Sequence, residues 1–242
     1  MKQALCQLHD VIEHTWPANS TRTHGGWILR EGLGGGKRVS ATTLHGFREA
    51  ANINSAENDM RAFGQTPIFM IREGEEALDR ILATEGYEIT EPSNIYTVPI
   101  EKLVHKKPPP LSIFEIWEPL QIQADIWGYA GIDAARIAVM HRAAGPKTSF
   151  FMRWENRPAG TAFIGLHNNV VMLHALEVLP HQQRKGVGTL AMHQAAIWAK
   201  SFGAHTLSVI CTRENLGANA LYSSLHMQLV GGYHYRIKKE IE

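Results

Sequence analysis

Gln183-Arg184-Lys185-Gly186-Val187-Gly188-Thr189 is a basic, glycine-bearing turn. It lies between an apolar run, Val170 to Val178, and a helix-like run, Leu190 to Phe202. A strand, such a turn and a helix N-terminus together can grip a pyrophosphate. Glycine lets the backbone approach the anion closely, the opening N–H groups of the helix point at it, and the helix dipole favours negative charge. The spacing is neither the G-x-G-x-x-G of dinucleotide-binding folds nor the G-x-x-x-x-G-K-[ST] phosphate loop. An exposed charged turn would carry Arg184 and Lys185 too, and that reading is compatible with the grip.

A second block, Asn215-Leu216-Gly217-Ala218-Asn219-Ala220-Leu221-Tyr222-Ser223-Ser224-Leu225-His226-Met227, follows one helix and one strand later. Together the two blocks resemble the Q/R-x-x-G-x-G/A and N-x-x-A-x-x-L-Y-x-x-L-G-F signatures of the GCN5-related N-acetyltransferases (GNAT). Asn215, Ala218, Leu221, Tyr222 and Leu225 match in frame. The resemblance runs from Leu111 to the C-terminus. It implies an α/β fold, a twisted mixed sheet flanked by helices and splayed between its fourth and fifth strands, here Val170–Val178 and Thr206–Cys211. It implies acetyl-CoA as cosubstrate in that splay, with no metal. Gln183, Arg184, Lys185, Gly186, Val187, Gly188 and Thr189 would hold the pyrophosphate. Leu176 and Val178 would act through their backbone along the pantetheine arm, with Asn215, Ala218 and Tyr222 close by. His226 and Met227 depart from the pattern, which has Gly and Phe there. His226 would need a left-handed conformation, at a cost of roughly 1 kcal/mol.

Acyl transfer to an amine needs proton removal from an ammonium of pKa about 10, stabilisation of the developing oxyanion, and tolerance or protonation of the leaving thiolate. Strand alternation puts Met172, His174, Leu176 and Val178 on one face and Glu177 on the other. Many GNAT members carry Glu at the place of Met172, so the usual base is missing. The run His174-Ala175-Leu176-Glu177-Val178 resembles the arylalkylamine N-acetyltransferases, in which the matching histidine takes part in proton removal. His174 is therefore the expected base, against the alternative of a strand histidine satisfied by the backbone. Glu177 is the second choice, against a salt-bridged or solvated carboxylate. Tyr222 is the expected acid, matching the family tyrosine in frame, and a backbone N–H near Val178 would meet the oxyanion.

The Pro108-Pro109-Pro110 stretch excludes helix and central strand. It marks an expected boundary, giving an N-terminal domain over 1–104, a linker over 105–111 and the acetyl-CoA-binding domain over 112–242. In the first part, Leu78 to Tyr87 resembles the family's closing helix and its G-F/Y end, but no Q/R-x-x-G-x-G turn precedes it. The chain thus reads as two tandem GNAT-like halves, the first degenerate and free of cofactor. Gly32 to Arg38 reads as a flexible hairpin loop, because no apolar strand leads in and no amphipathic helix follows. Gly231 to Ile237 reads as a final hairpin strand.

The bulk properties fit this reading. The 242 residues carry a formal net charge of +1 and 44% hydrophobic content, so no polyanionic partner such as nucleic acid is expected. Two cysteines, Cys6 and Cys211, form no framework and suit a reduced, cytoplasmic setting. No apolar run approaches the roughly 18 residues that span a bilayer, and Met1 to His14 is too polar for a signal peptide. The expected reaction is direct transfer of acetyl from acetyl-CoA to a primary amine of a small-molecule or peptide acceptor. The alternative is a non-catalytic acyl-CoA sensor. The oligomeric state, a homodimer included, stays open.

Overall fold

The computed structural model describes residues 2–46 and 51–238, with side chains from residue 5 onward. In chain order its elements are α1 (Lys2–Thr15), β1 (Ser20–His24), β2 (Trp27–Glu31), α2 (Lys37–Ser40), β3 (Thr43–Leu44), α3 (Ile53–Ala62), β4 (Ile68–Arg72), α4 (Glu76–Thr84), β5 (Tyr87–Pro99), β6 (Ile113–Ile116), α5 (Gln121–Tyr129), α6 (Ala134–Arg142), β7 (Lys147–Trp154), β8 (Arg157–His167), β9 (Val170–Val178), α7 (Val187–Ser201), β10 (Thr206–Thr212), α8 (Leu216–Ser224) and β11 (Gln228–Lys238).

The chain forms two compact units. One holds Met1–Pro17, Ile95–Cys211 and Asn215–Val230; the other holds Ala18–Asn94, Thr212–Glu214 and Gly231–Glu242. These units are drawn differently from the boundary expected at 105–111, because the prolines lie inside the first unit and the N-terminal helix belongs there too. The helix has a physical reason to do so. Leu8, Val11, Ile12, Thr15 and Trp16 recur at helical spacing and are all buried. This stripe packs on β8 and β9.

In the first unit the strand order is β5-β10-β9-β8-β7-β6. The β7–β8 hairpin turns through Glu155 and Asn156, both left-handed at φ 49° and 61°, as a two-residue hairpin turn needs. On one face of the sheet, Ala162, Ile164, Val171 and Leu173 share a core with Val187, Ala191, Ala195 and Trp198 of α7. Phe202 is 49% exposed and lies against the Trp198 ring at 4.7 Å. It caps the helix rather than continuing its apolar stripe. On the other face, Trp16 of α1 meets Phe163 and His174, and Gln123 of α5 donates to Ser149 Oγ and Thr161 Oγ1.

The second unit has a three-stranded sheet, β1-β2-β3, and the order β4-β11-β5. Its core gathers Trp27, Leu29, Phe69, Ile71, Leu78, Leu82 and Tyr87. Two expectations are corrected here. The Gly32–Gly36 stretch does lie in the connection between the antiparallel strands β2 and β3, but β2 is an apolar strand leading into it and the short α2 follows. The alternation Trp27, Leu29 (buried) with Ile28 (partly exposed) was the strand signal. β11 is not half of a hairpin, because it pairs antiparallel with β4 from Tyr233–Arg72 to Ile237–Ile68.

Candidate active site

The site is built where two parallel strands part. β9 and β10 pair from Val170–Thr206 to Leu173–Val209 and no further, while β9 stays paired with β8 through Val178. The Leu179 N–H donates to Ala159 O on the β8 side at 2.9 Å. Successive amides in an extended chain point to opposite edges, so the Val178 N–H faces the parting. The Val178 carbonyl on that edge accepts from Gln183 Nε2 at 3.2 Å. A cleft of about 740 Å³ opens there, lined by Leu176, Glu177 and Val178, by the turn over Gln182–Arg184, by Gly186–Thr189, and by Asn215, Gly217, Ala218, Leu221, Tyr222 and Ser224.

The turn from Gln183 to Thr189 leads from β9 into the start of α7. Gly186 caps α7 in a left-handed conformation (φ 90°) with no side-chain cap, and Arg184 is left-handed too (φ 61°). The first bond within the helix is Leu190 N–H to Gly186 O, at 3.0 Å. Among the described residues, the N–H groups of Val187, Gly188 and Thr189 therefore have no partner. A Cβ at Gly188 would lie 3.0 Å from Leu221 Cδ2, a tight contact with the end of a flexible side chain. Lys185 donates to Gln182 Oε1 at 3.2 Å, and Arg184 is exposed. Asn215 spends its side chain on its own helix, Oδ1 accepting from Ala218 N–H at 2.9 Å. His226 takes the expected left-handed conformation, φ 53°.

The faces of β9 differ from simple alternation. Phe163 pairs with His174 but Thr161 with Glu177, so Ala175 and Leu176 of β9 oppose the single Ala162 of β8. The bulge falls at Ala175, left-handed at φ 49°, whose carbonyl accepts from Trp127 Nε1 at 2.8 Å. The extra residue reverses the parity beyond it. Glu177 therefore shares the face of Met172 and His174, while Leu176 and Val178 join the core under α7. The expected placement of Glu177 opposite His174 is corrected. Nothing in the sequence marked the bulge, since alanine gives no signal of a left-handed residue.

Glu177 reaches the cleft and His174 does not. Burial raises the Glu177 carboxyl above the ordinary carboxylate range. No hydrogen-bond donor or cation among the described residues holds its charge. The Tyr222 ring is buried, 5.6 Å from Tyr96, and its hydroxyl has no partner among the described residues. Burial first, then the neighbouring Cys211 and Glu177, push the phenol well above its usual value, so it stays protonated. Burial also lifts the Cys211 thiol to about 11, leaving it neutral.

His174 is 5% exposed, with Nε2 2.8 Å from Thr15 Oγ1. That hydroxyl donates to Val11 O at 2.7 Å, so it accepts from His174 Nε2–H, and its ring packs 5.1 Å from Trp16. These contacts make it a fastening for α1. His174→Ala should cost about 2–3 kcal/mol through the lost hydrogen bond and the cavity. Urea unfolding checks this. The pH dependence of turnover should keep its shape; loss of its acidic limb would return His174 to the chemistry.

Comparison with known proteins fits this geometry. Residues 113–227 match the model of the acetyltransferase (GNAT) family. The uncharacterized N-acetyltransferase YobR of Bacillus subtilis (strain 168) is 24% identical over 236 residues, covering 93% of this chain and 95% of that protein. The solved GCN5-related N-acetyltransferase of Kribbella flavida superposes with a TM-score of 0.72 at 14% identity, covering 97% of this chain and 95% of that one. A tandem GNAT protein from the clavulanic acid biosynthesis pathway superposes with a TM-score of 0.60 at 11% identity, over 81% of this chain and 74% of that one.

Proposed function

Since the chain is an acyltransferase whose residues 113–227 form a GNAT-family domain, we propose that it moves acetyl from acetyl-CoA to a primary amine by direct attack in a ternary complex. The observation that carries the donor is the start of α7. Three unpartnered N–H groups behind a left-handed glycine, beside Arg184 and Lys185, suit a diphosphate. The strand parting suits the thin arm that follows, since the free edge of β9 can pair with it as an added strand would. Bound there, acetyl-CoA supplies an acetyl group activated as a thioester.

The chain's own residues do the rest. Glu177, with its raised carboxyl pKa, is placed to take the ammonium proton directly or through a water. This reverses the order read from the sequence, where His174 came first. The Val178 N–H points at the parting and can meet an oxygen as it gains charge. Tyr222 holds its proton on the cleft side and can pass it to a departing thiolate. Tyr222→Phe should lower kcat about 10–100-fold with acetyl-CoA affinity nearly unchanged. Wild-type kcat would remove Tyr222 as the acid. CoA release over a panel of amines, with mass spectrometry of the products, tests the activity as a whole. Tight acetyl-CoA binding without turnover on any amine would favour the sensor alternative.

The reading of two tandem halves also gains support. α4 and α8 each span nine residues. Each is closed by a left-handed residue, Gly86 at φ 85° and His226 at φ 53°, and each leads into a long strand, β5 or β11. A tandem GNAT protein superposes over 81% of this chain. The first half lacks the basic glycine turn, so it is proposed to hold no cofactor. A cytoplasmic location is proposed on the same footing; no described helix is long and apolar enough to cross a membrane.

A further inference from the structure

We propose that Asp10, His14 and His167, in the first unit and away from the acetyl-CoA cleft, bind one divalent transition-metal ion of the zinc class. Their ligand atoms all lie within 4.8 Å of one another. Asp10 and His14 sit one helical turn apart on α1, and His167 ends β8. The two imidazoles stack at 3.6 Å with 4° between their planes, and His14 Nδ1 lies 2.9 Å from the Asp10 backbone carbonyl. His14 Nδ1 is 3.3 Å from Asp10 Oδ1, and His167 Nε2 is 2.9 Å from Oδ2.

The hydrogen bonding around Asp10 gives an independent reason for a cation. Asn168 Nδ2 lies 3.1 Å from Asp10 Oδ2 and 2.9 Å from His167 Nε2. Three polar atoms thus form a triangle with every side near 3 Å. If Asn168 donates to both neighbours, His167 Nε2 must be an acceptor, and it then faces a carboxylate oxygen as lone pair to lone pair. If His167 donates instead, its N–H opposes the Asn168 amide. Turning the amide over places two oxygens against each other. No single assignment makes all three contacts favourable. A cation does, because each group then offers a lone pair, with the Asn168 amide oxygen turned inward. Tetrahedral zinc with ligands near 2.05 Å needs edges of about 3.3 Å, close to those present.

Two ring nitrogens with one carboxylate select Zn²⁺, Ni²⁺ or Cu²⁺ over Mg²⁺ or Ca²⁺, which prefer oxygen. His14 must swing from the stack to share the ion, and at 54% side-chain exposure it has room. The ion would join α1 to the end of β8. Because α1 also carries Thr15 and Trp16 against His174, bound metal should raise the melting temperature.

Untagged full-length chain, stripped with chelator, is titrated with Zn²⁺ and separately with Mg²⁺, and uptake is read by calorimetry and native mass spectrometry. One Zn²⁺ per chain is expected, no Mg²⁺, and a higher melting temperature. Asp10→Asn, His14→Gln and His167→Gln should each weaken zinc at least about tenfold. Cys6→Ser is the control, since Cys6 is exposed, and should change nothing. Co²⁺ should show bands of nitrogen and oxygen ligation without thiolate charge transfer. No zinc uptake by the wild type, or uptake surviving in the His14→Gln/His167→Gln double variant, overturns the proposal. These side chains are far from the cleft residues, so either result leaves the acetyl-transfer reading to its own tests.

Discussion

Gly188→Asp should abolish acetyl-CoA binding while leaving the protein folded. The position is the second residue of α7, within the run of N–H groups that no described residue satisfies. A carboxylate there would face the diphosphate. At about 4 Å and an effective dielectric near 20, like charges repel by roughly 4 kcal/mol, about a thousandfold in Kd. A steric term adds to this, because a Cβ at Gly188 meets Leu221 Cδ2 at 3.0 Å. That neighbour is the flexible end of a side chain, so the fold can yield by a small rotation. Gly188→Ala separates the two terms. It should weaken acetyl-CoA only modestly, since it adds the methyl group without the charge. Calorimetry with acetyl-CoA gives the affinities, and a ligand at one hundred times its Kd should add roughly 2.7 kcal/mol to wild-type stability and nothing to Gly188→Asp. A Gly188→Asp protein that still binds acetyl-CoA with wild-type affinity would mean that the anion sits elsewhere.

The two motif blocks were legible because the backbone itself demands them. A left-handed Gly186, a crowded Gly188 and a side-chain cap at Asn215 are each written as a residue type at a fixed offset. The strand, turn and helix around them followed from apolar runs of the right length. The bulge at Ala175 left no such trace, and it decides which face of β9 Glu177 takes. Period-two reasoning is sound only while the pairing holds register, and one inserted residue exchanges the two faces. The domain boundary was hidden for a related reason. Three prolines fix local conformation, but which unit a helix joins depends on its buried stripe, and that of α1 fits β8 and β9. Gly165 shows how closely: a Cβ there would lie 3.0 Å from Thr15 Cβ.

Glu177→Gln separates chemistry from stability by moving them in opposite directions. The side chain keeps its size but cannot accept the ammonium proton, so kcat should fall about 10²–10⁴-fold with acetyl-CoA affinity little changed. The pH profile gives the sharper reading. In the wild type, kcat/KM should rise with pH as the partly buried carboxyl ionises, at a pKa above that of an ordinary carboxylate. That limb should vanish in the glutamine variant. Stability follows the same ionisation with the other sign. A carboxyl whose folded pKa is raised costs nothing below its unfolded pKa, and it destabilises the fold progressively as pH rises through the folded value. Glu177→Gln removes that cost, so it should melt higher than the wild type near neutral pH and match it at acidic pH, where both side chains are neutral. Activity lost together with stability at pH 7 would point instead to a structural carboxylate, and an unchanged kcat would pass the base to another group. The expected combination, a slower and more stable enzyme, is what a carboxylate held out of water for its chemistry should leave behind when removed.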